Sequence, residues 1–126
     1  MSANETRDLI EQAIERMLKE LPALRKLPLT FQLELRGRGD KQLYRVQLPG
    51  DGESPPKIEK GMGEDAKLIL GVTRPHFNQL ADKGTIAMWR EAFRGGHAHV
   101  AGPPQIIKLI LAVVERHEAR AAARRH

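Results

Sequence analysis

The sequence predicts an α+β domain: a five-stranded, largely antiparallel sheet with helices packed on one face, in the order α-β-β-β-β-α-α-β-α. Three observations predict it. Apolar residues recur at spacings of three and four near the start, after Thr73 and again at the end. Between Phe31 and Val72 they alternate with polar ones. Gly and Pro clusters separate the two kinds of pattern. The first signals helix, the second half-buried strand and the third the turns between them.

The first helix is expected to start near Ser2 to Thr6, where Ser2 and Glu5 have capping-box spacing. Its buried face is Leu9, Ile10, Ala13, Ile14, Met17, Leu18 and Leu21, and Pro22 falls where it should stop. Phe31, Leu33 and Leu35 then alternate with Gln32, Glu34 and Arg36, a half-buried strand. Gly37-Arg38-Gly39-Asp40 is a turn, and Tyr44, Val46 and Leu48 mark a second strand. After the Gly and Pro residues of 49–56 come a short third strand at Lys57 to Lys60 and a fourth at Leu68, Leu70 and Val72. Four short strands joined by tight turns read as an antiparallel meander.

Helix then returns. Thr73 caps, Pro75 suits the first turn, Phe77, Leu80 and Ala81 share a face, and Gly84 suits a left-handed stop. Thr85 caps the next helix, with Ile86, Trp89 and Phe93 on one side and Gly95-Gly96 at its end. His97 to Ala101 alternates as a fifth strand. Gly102-Pro103-Pro104 launches a last helix whose apolar positions, Ile106, Ile107, Leu109, Ile110, Leu111, Val113 and Val114, cover well over half its circumference. Such a helix is expected to be covered on most sides, by protein, a partner or an apolar ligand.

The 126 residues make one domain, with a basic Ala/Arg-rich tail from about residue 117. Lys and Arg number 21 against 16 Asp and Glu, a net charge of +5 that either attracts the phosphate groups of lipid or nucleic acid or simply serves solubility. There is no Cys, hence no disulfide framework or thiol chemistry. The start lacks the order of a signal peptide, and the longest apolar run, Leu109 to Val114, is far short of a membrane span. A cytoplasmic setting is expected.

Catalytic chemistry is sparse. A nucleophile would be Ser or Thr beside a base, but the serines are Ser2, near the terminus, and Ser54, in a Pro-rich loop, and Thr73 and Thr85 read as helix caps. Glu64-Asp65, a carboxylate pair in a Gly-flanked loop, reads as solvated. His97 and His99, two apart on a strand, would point to one face, with His76 or His117 available as a third nitrogen. No Cys or nearby carboxylate completes a metal set, so these read as exposed or cavity-rim histidines. The few aromatics sit among apolar neighbours and not on a basic face, so nucleic acid is not an expected partner. Neither enzyme activity, metal nor cofactor is expected.

Two stretches bear a resemblance to a known family. Ala66 to Phe77 (AKLILGVTRPHF) resembles the strand of sterol carrier proteins that runs into a capped helix carrying a Phe, with Leu80 and Gly84 near that helix's end. Met88 to Gly102 (MWREAFRGGHAHVAG) resembles their short helix ending in Ala-Phe, then a glycine, an alternating strand and a second glycine. The apolar last helix follows in register. Two positions depart from the pattern: His97-Ala98-His99 stands where a Lys-rich strand is usual, and Pro103-Pro104 follows the second glycine. The resemblance implies an apolar tunnel between sheet and helices, holding a fatty acyl chain, phospholipid or sterol without chemistry. Its walls would be Phe77, Leu80, Met88, Trp89, Phe93, Val100, Ile106, Ile107, Ile110 and Leu111, with Arg90 and Arg94 at an anionic head group. The partner is then a lipid or hydrophobic small molecule, met in transient contact with a membrane surface. The alternative is an accessory or structural subunit whose last helix forms a homodimer seam or docks on another protein.

Overall fold

A computed structural model of the chain describes residues 3–124, so Ser2 of the expected capping box lies outside the described residues. The order is α1 (Ala3–Glu20), a 3-10 turn (Pro22–Lys26), β1 (Leu29–Arg36), β2 (Lys41–Leu48), β3 (Lys57–Lys60), β4 (Leu68–Thr73), α2 (Arg74–Lys83), α3 (Ile86–Arg94), β5 (Ala98–Ala101) and α4 (Pro104–Arg124). The five strands form one sheet in the order β3-β2-β1-β4-β5.

The meander holds only for β1 to β3. β4 crosses to the other side of β1 and runs parallel to it, pairing Phe31 with Leu68 and Leu35 with Val72. The other pairings are antiparallel. The crossing segment Gly61 to Lys67 turns at Glu64-Asp65, where the Ala66 amide donates to the Gly63 carbonyl at 3.1 Å, and a long-range clamp holds it. Arg45, beside inward-facing Tyr44 and Val46, points outward and binds both oxygens of Asp65, at 2.8 and 2.5 Å. The Lys67 amide donates to the Thr30 carbonyl at 3.2 Å. Asp65 is therefore a structural residue, and the Arg45 guanidinium holds its carboxyl below the usual range.

One sheet face carries the core. Phe31, Leu33, Leu35, Tyr44, Val46, Leu48, Ile58, Leu68 and Val72 are buried under Ile10, Ala13, Ile14, Leu18 and Leu21 of α1, Phe77, Leu80 and Ala81 of α2, and Ile86, Trp89 and Ala92 of α3. The other face is polar yet not fully exposed. Gln32 and Glu34 are each 8 % accessible, so β1 is covered on both faces at its centre. Arg36 and Lys41 approach the Glu34 carboxylate at 3.6 and 3.7 Å, which compensates its partial desolvation.

Several local devices differ from expectation. Gly84 has φ −59°, not a left-handed value, and closes α2 by donating its backbone N–H to the Leu80 carbonyl at 2.8 Å. What requires glycine there is proximity, since a Cβ would lie 2.1 Å from that carbonyl oxygen. Thr73 occupies the cap position of α2, but its hydroxyl meets His76 Nδ1 at 2.7 Å instead of a backbone amide. Thr85 does cap α3, accepting from the Met88 amide at 3.2 Å. Phe93 is 39 % exposed, and Ala92 takes its place in the core.

The β2–β3 loop is organised by Asp51. Its carboxylate accepts from the Ser54 hydroxyl and from the amides of Glu53 and Ser54 at 2.9 and 2.8 Å, and these bonds lower its pKa to about 2. Because the folded value lies below the unfolded one, this contribution is present above the ordinary carboxylate range and is lost as pH falls toward about 2. The Asp51 carboxyl resonance should titrate near that value, and Ser54→Ala should raise the midpoint measurably.

Tyr44 is 1 % accessible, and its hydroxyl is the one fully buried side-chain polar atom among the described residues without a hydrogen-bond partner. An unpaired buried donor costs about 1–3 kcal/mol. Tyr44→Phe should therefore unfold at an equal or higher denaturant midpoint than the parent protein, and a lower one would reveal a partner for that hydroxyl.

Candidate lipid-binding site

The expectation that α4 is covered on most sides is overturned: none of its 21 residues is buried. Leu109 and Leu111 are 49 % and 45 % exposed. Aliphatic density in the sequence reports what a helix would prefer to bury, not how many neighbours the topology supplies. α4 emerges from an edge strand and meets the body along one flank only. Ile106, Ile107, Ile110, Val113 and Val114 lie half-buried against the core on that flank.

The body opposite is equally incomplete. Leu70 and Val100 face each other across β4 and β5 on the helix-bearing side of the sheet, in line with buried Val72 and Ala98. Both remain half-buried, as do Leu29 and Leu27. Leu27, Leu29, Leu70 and Val100 of the body and Ile106, Ile107, Ile110, Val113 and Val114 of α4 all pack half-buried against one core, an apolar seam that is not fully closed. One histidine–carboxylate contact and one ion pair hold α4 in place. His117 Nε2 lies 3.6 Å from Glu20 Oε1 on α1, and Arg90 Nη2 lies 2.9 Å from Glu118 Oε1. Glu20 also accepts from the Ile86 amide at 2.6 Å, so one carboxylate ties α1, α3 and α4 together.

The residues read from the sequence as tunnel walls thus fall into distinct places. Val100, Ile106, Ile107 and Ile110 belong to the seam. Phe77 and Trp89 are in the core, at 1 % and 5 % exposure. Leu80 and Met88 line a separate cleft of about 360 Å³ between α2 and α3, rimmed by His76, Gln79, Glu91 and His97. Phe93 and Leu111 are exposed. Their spacing from Arg90 and Glu118 (three and seven residues) puts them on the stripes of α3 and α4 that this ion pair brings together. Of the head-group candidates, Arg90 pairs with Glu118, and Arg94 pairs with Glu91 at 3.0 Å. Sequence reasoning left Leu70 out of the site, although the alternation of β4 already placed it inward.

His97 and His99 do not share a site. β5 starts at Ala98, so His97 precedes the strand and stacks on His76, with ring centroids 3.7 Å apart and planes 12° from parallel. His99 lies over Gly71 on the other sheet face, where a Cβ would come within 2.2 Å of its ring. There it meets Arg36 Nη2 at 3.0 Å. Arginine only donates, so this contact needs the unprotonated ring nitrogen of His99 as acceptor. Among the described residues no three His, Asp or Glu side chains gather as a metal site. A polar cleft of about 550 Å³ along α1, lined by Gln12, Glu15, Arg16, Lys19, Glu20 and Gly84, has none of the aliphatic character of the seam.

The sequence matches no family model and no curated protein. Solved structures are similar. The palmitated sterol carrier protein 2-like 2 of Aedes aegypti superposes with a TM-score of 0.54 at 20 % identity, covering 82 % of this chain and 93 % of that one. Sterol carrier protein 2 of Yarrowia lipolytica in its apo form gives 0.50 at 18 % identity, over 68 % of this chain and 70 % of that one. The ubiquinone synthesis protein UbiJ-SCP2 gives 0.50 at 15 % identity, over 89 % and 98 %. These superpositions, over 68–89 % of the chain, show that it has the sterol carrier protein 2 fold.

Proposed function

We propose that the protein binds the apolar chain of a lipid, noncovalently, in the seam between α4 and the inner face of the sheet. The observation that carries this is that Leu70 and Val100 of the sheet and Ile106, Ile107 and Ile110 of α4 all pack half-buried against one core. These aliphatic surfaces are already withdrawn from most solvent, and a chain laid between them completes their burial. A sixteen-carbon chain at about 0.8 kcal/mol per methylene gains on the order of 12 kcal/mol gross. Lost motional freedom offsets several kcal/mol of it. The remainder corresponds to micromolar or tighter affinity. The palmitated relative of the same fold supports an acyl chain as ligand class. Phe93 and Leu111 would then border the entrance, and Arg90 and Arg94 stand close enough in sequence to hold an anionic head group there.

Extraction of the purified protein with organic solvent should yield a lipid, and titration of a fatty acid or phospholipid should change the emission of Trp89, buried in α3. Unchanged emission with no copurifying lipid would contradict the reading. A second reading, an accessory subunit docking through α4, is favoured by the exposure of Leu109 and Leu111. An empty dimer on native mass spectrometry would support it over the carrier.

A further inference from the structure

The cleft between α2 and α3 lies apart from the seam and shares no residue with it. Its volume of about 360 Å³ is in the ordinary range of small-molecule sites. α2 lines it with His76, Gln79 and Leu80, and α3 with Ala87, Met88, Glu91 and Ala92, residues whose spacings of three and four put them on one face of each helix. His97 completes the lining. The hydrogen-bonding groups of this cleft are mostly unspent. Thr73 Oγ1 meets His76 Nδ1, which leaves Nε2 of that ring open. Among the described residues no hydrogen bond engages the Gln79 amide or either ring nitrogen of His97. Glu91 is the one carboxylate in the lining, and Arg94 already holds it at 3.0 Å.

Three features select a guest. The stacked imidazoles and the Met88 thioether both favour the face of a flat aromatic ring. The Gln79 side chain carries a donor beside an acceptor, and it can pair with both at once on an edge that carries the complementary two. No Lys or Arg lines the cleft to receive a carboxylate or phosphate, and the Glu91 charge opposes either. An acyl chain would leave the imidazoles and the amide without partners as it covered them. A flat, uncharged heteroaromatic ring with a donor next to an acceptor is the chemistry of a nucleobase. We propose that the α2–α3 cleft binds a nucleobase or nucleoside, the ring lying beside the His76–His97 stack over Leu80 and Met88 and its edge on the Gln79 amide. A single base is meant and not a strand, since no cation of the lining could follow a phosphate backbone.

Titration of the full chain with adenosine, followed by nuclear magnetic resonance, tests it. The ring-proton resonances of His76 and His97 should move saturably, with a dissociation constant of about 1 mM or tighter, as one stacked base and one paired edge provide. Those of His99, on the other sheet face, should stay. His97→Ala and Gln79→Leu should each weaken binding about tenfold. Both side chains are exposed, so thermal melts should confirm that the variants fold. Purine riboside, which is adenosine without its exocyclic amine, should also bind about tenfold more weakly. The double change Ile107→Asp with Ile110→Asp should bind adenosine as the parent does, so this site and the seam can fail separately. Unmoved His76 and His97 resonances at millimolar adenosine would overturn the proposal. So would undiminished binding by Gln79→Leu or of purine riboside, which would remove the edge recognition, and so would loss of binding in the seam variant.

Discussion

Truncation of Phe77 to Ala should cost about 3–5 kcal/mol and lower the melting temperature by about 10–20 °C. Phe77 is 1 % accessible at the first turns of α2, above the centre of the sheet. Its removal leaves a void that Leu33, Leu35 and Val72, themselves fully buried, have little room to fill. A domain of this size has about 5–15 kcal/mol in all, so the variant should be measurably unfolded at growth temperature. Ile110→Ala on α4 is the control. Its side chain keeps solvent contact, and its loss should cost about 1 kcal/mol. Thermal melts followed by circular dichroism compare the two. Equal costs would mean that α4 belongs to the core, contrary to its lack of any buried residue.

The complementary expectation concerns the seam. The double change Ile107→Asp with Ile110→Asp should remove lipid retention while the fold persists. Each substitution deletes aliphatic surface worth about 1.5–3 kcal/mol when fully buried, and puts a carboxylate where a bound chain would strip its water. The loss should therefore exceed a hundredfold in lipid affinity. Both positions keep partial solvent contact in the protein, so the carboxylates can turn to water when no lipid is present and the fold should persist at a reduced melting temperature. Titration of a fluorescent fatty acid reads the affinity, and the melt reads the fold. Retained affinity in a folded variant would place the ligand elsewhere, with the Leu80–Met88 cleft the first alternative.

Most element positions were legible because local periodicity decides them. The three-and-four spacing from Leu9 to Leu21 set α1, and the alternations through Phe31 to Leu35 and Tyr44 to Leu48 set two strands with the buried side facing inward. The partner of a strand is not a local property. Leu68, Leu70 and Val72 alternate equally well in a parallel or an antiparallel strand. What sends β4 across β1 is a segment pinned by Arg45 and Asp65, twenty residues apart. Gln32 pairs with Arg45 of that clamp across β1 and β2, and its burial is one that alternation alone would not predict. Gly84 was read for its conformational freedom, whereas the close approach of Leu80 O is what excludes a side chain. His97 and His99 were joined by a strand that in fact starts one residue later.

The candidate site was legible in residue type and not in arrangement. Apolar positions of α2, α3 and α4 all qualify as walls by periodicity, yet Phe77 and Trp89 fill the core while Ile106, Ile107 and Ile110 line the seam. Only the number of neighbours separates the two roles. That number depends on where α4 leaves the edge strand, which no local spacing encodes.

Native mass spectrometry of the delipidated chain mixed with a sixteen-carbon fatty acid or its phospholipid tests the central claim most directly. One lipid per chain, lost in the Ile107→Asp/Ile110→Asp variant and retained in Leu109→Asp, is the expected spectrum. A bare chain at every lipid concentration, for both lipids, would contradict a ligand-binding seam beneath α4.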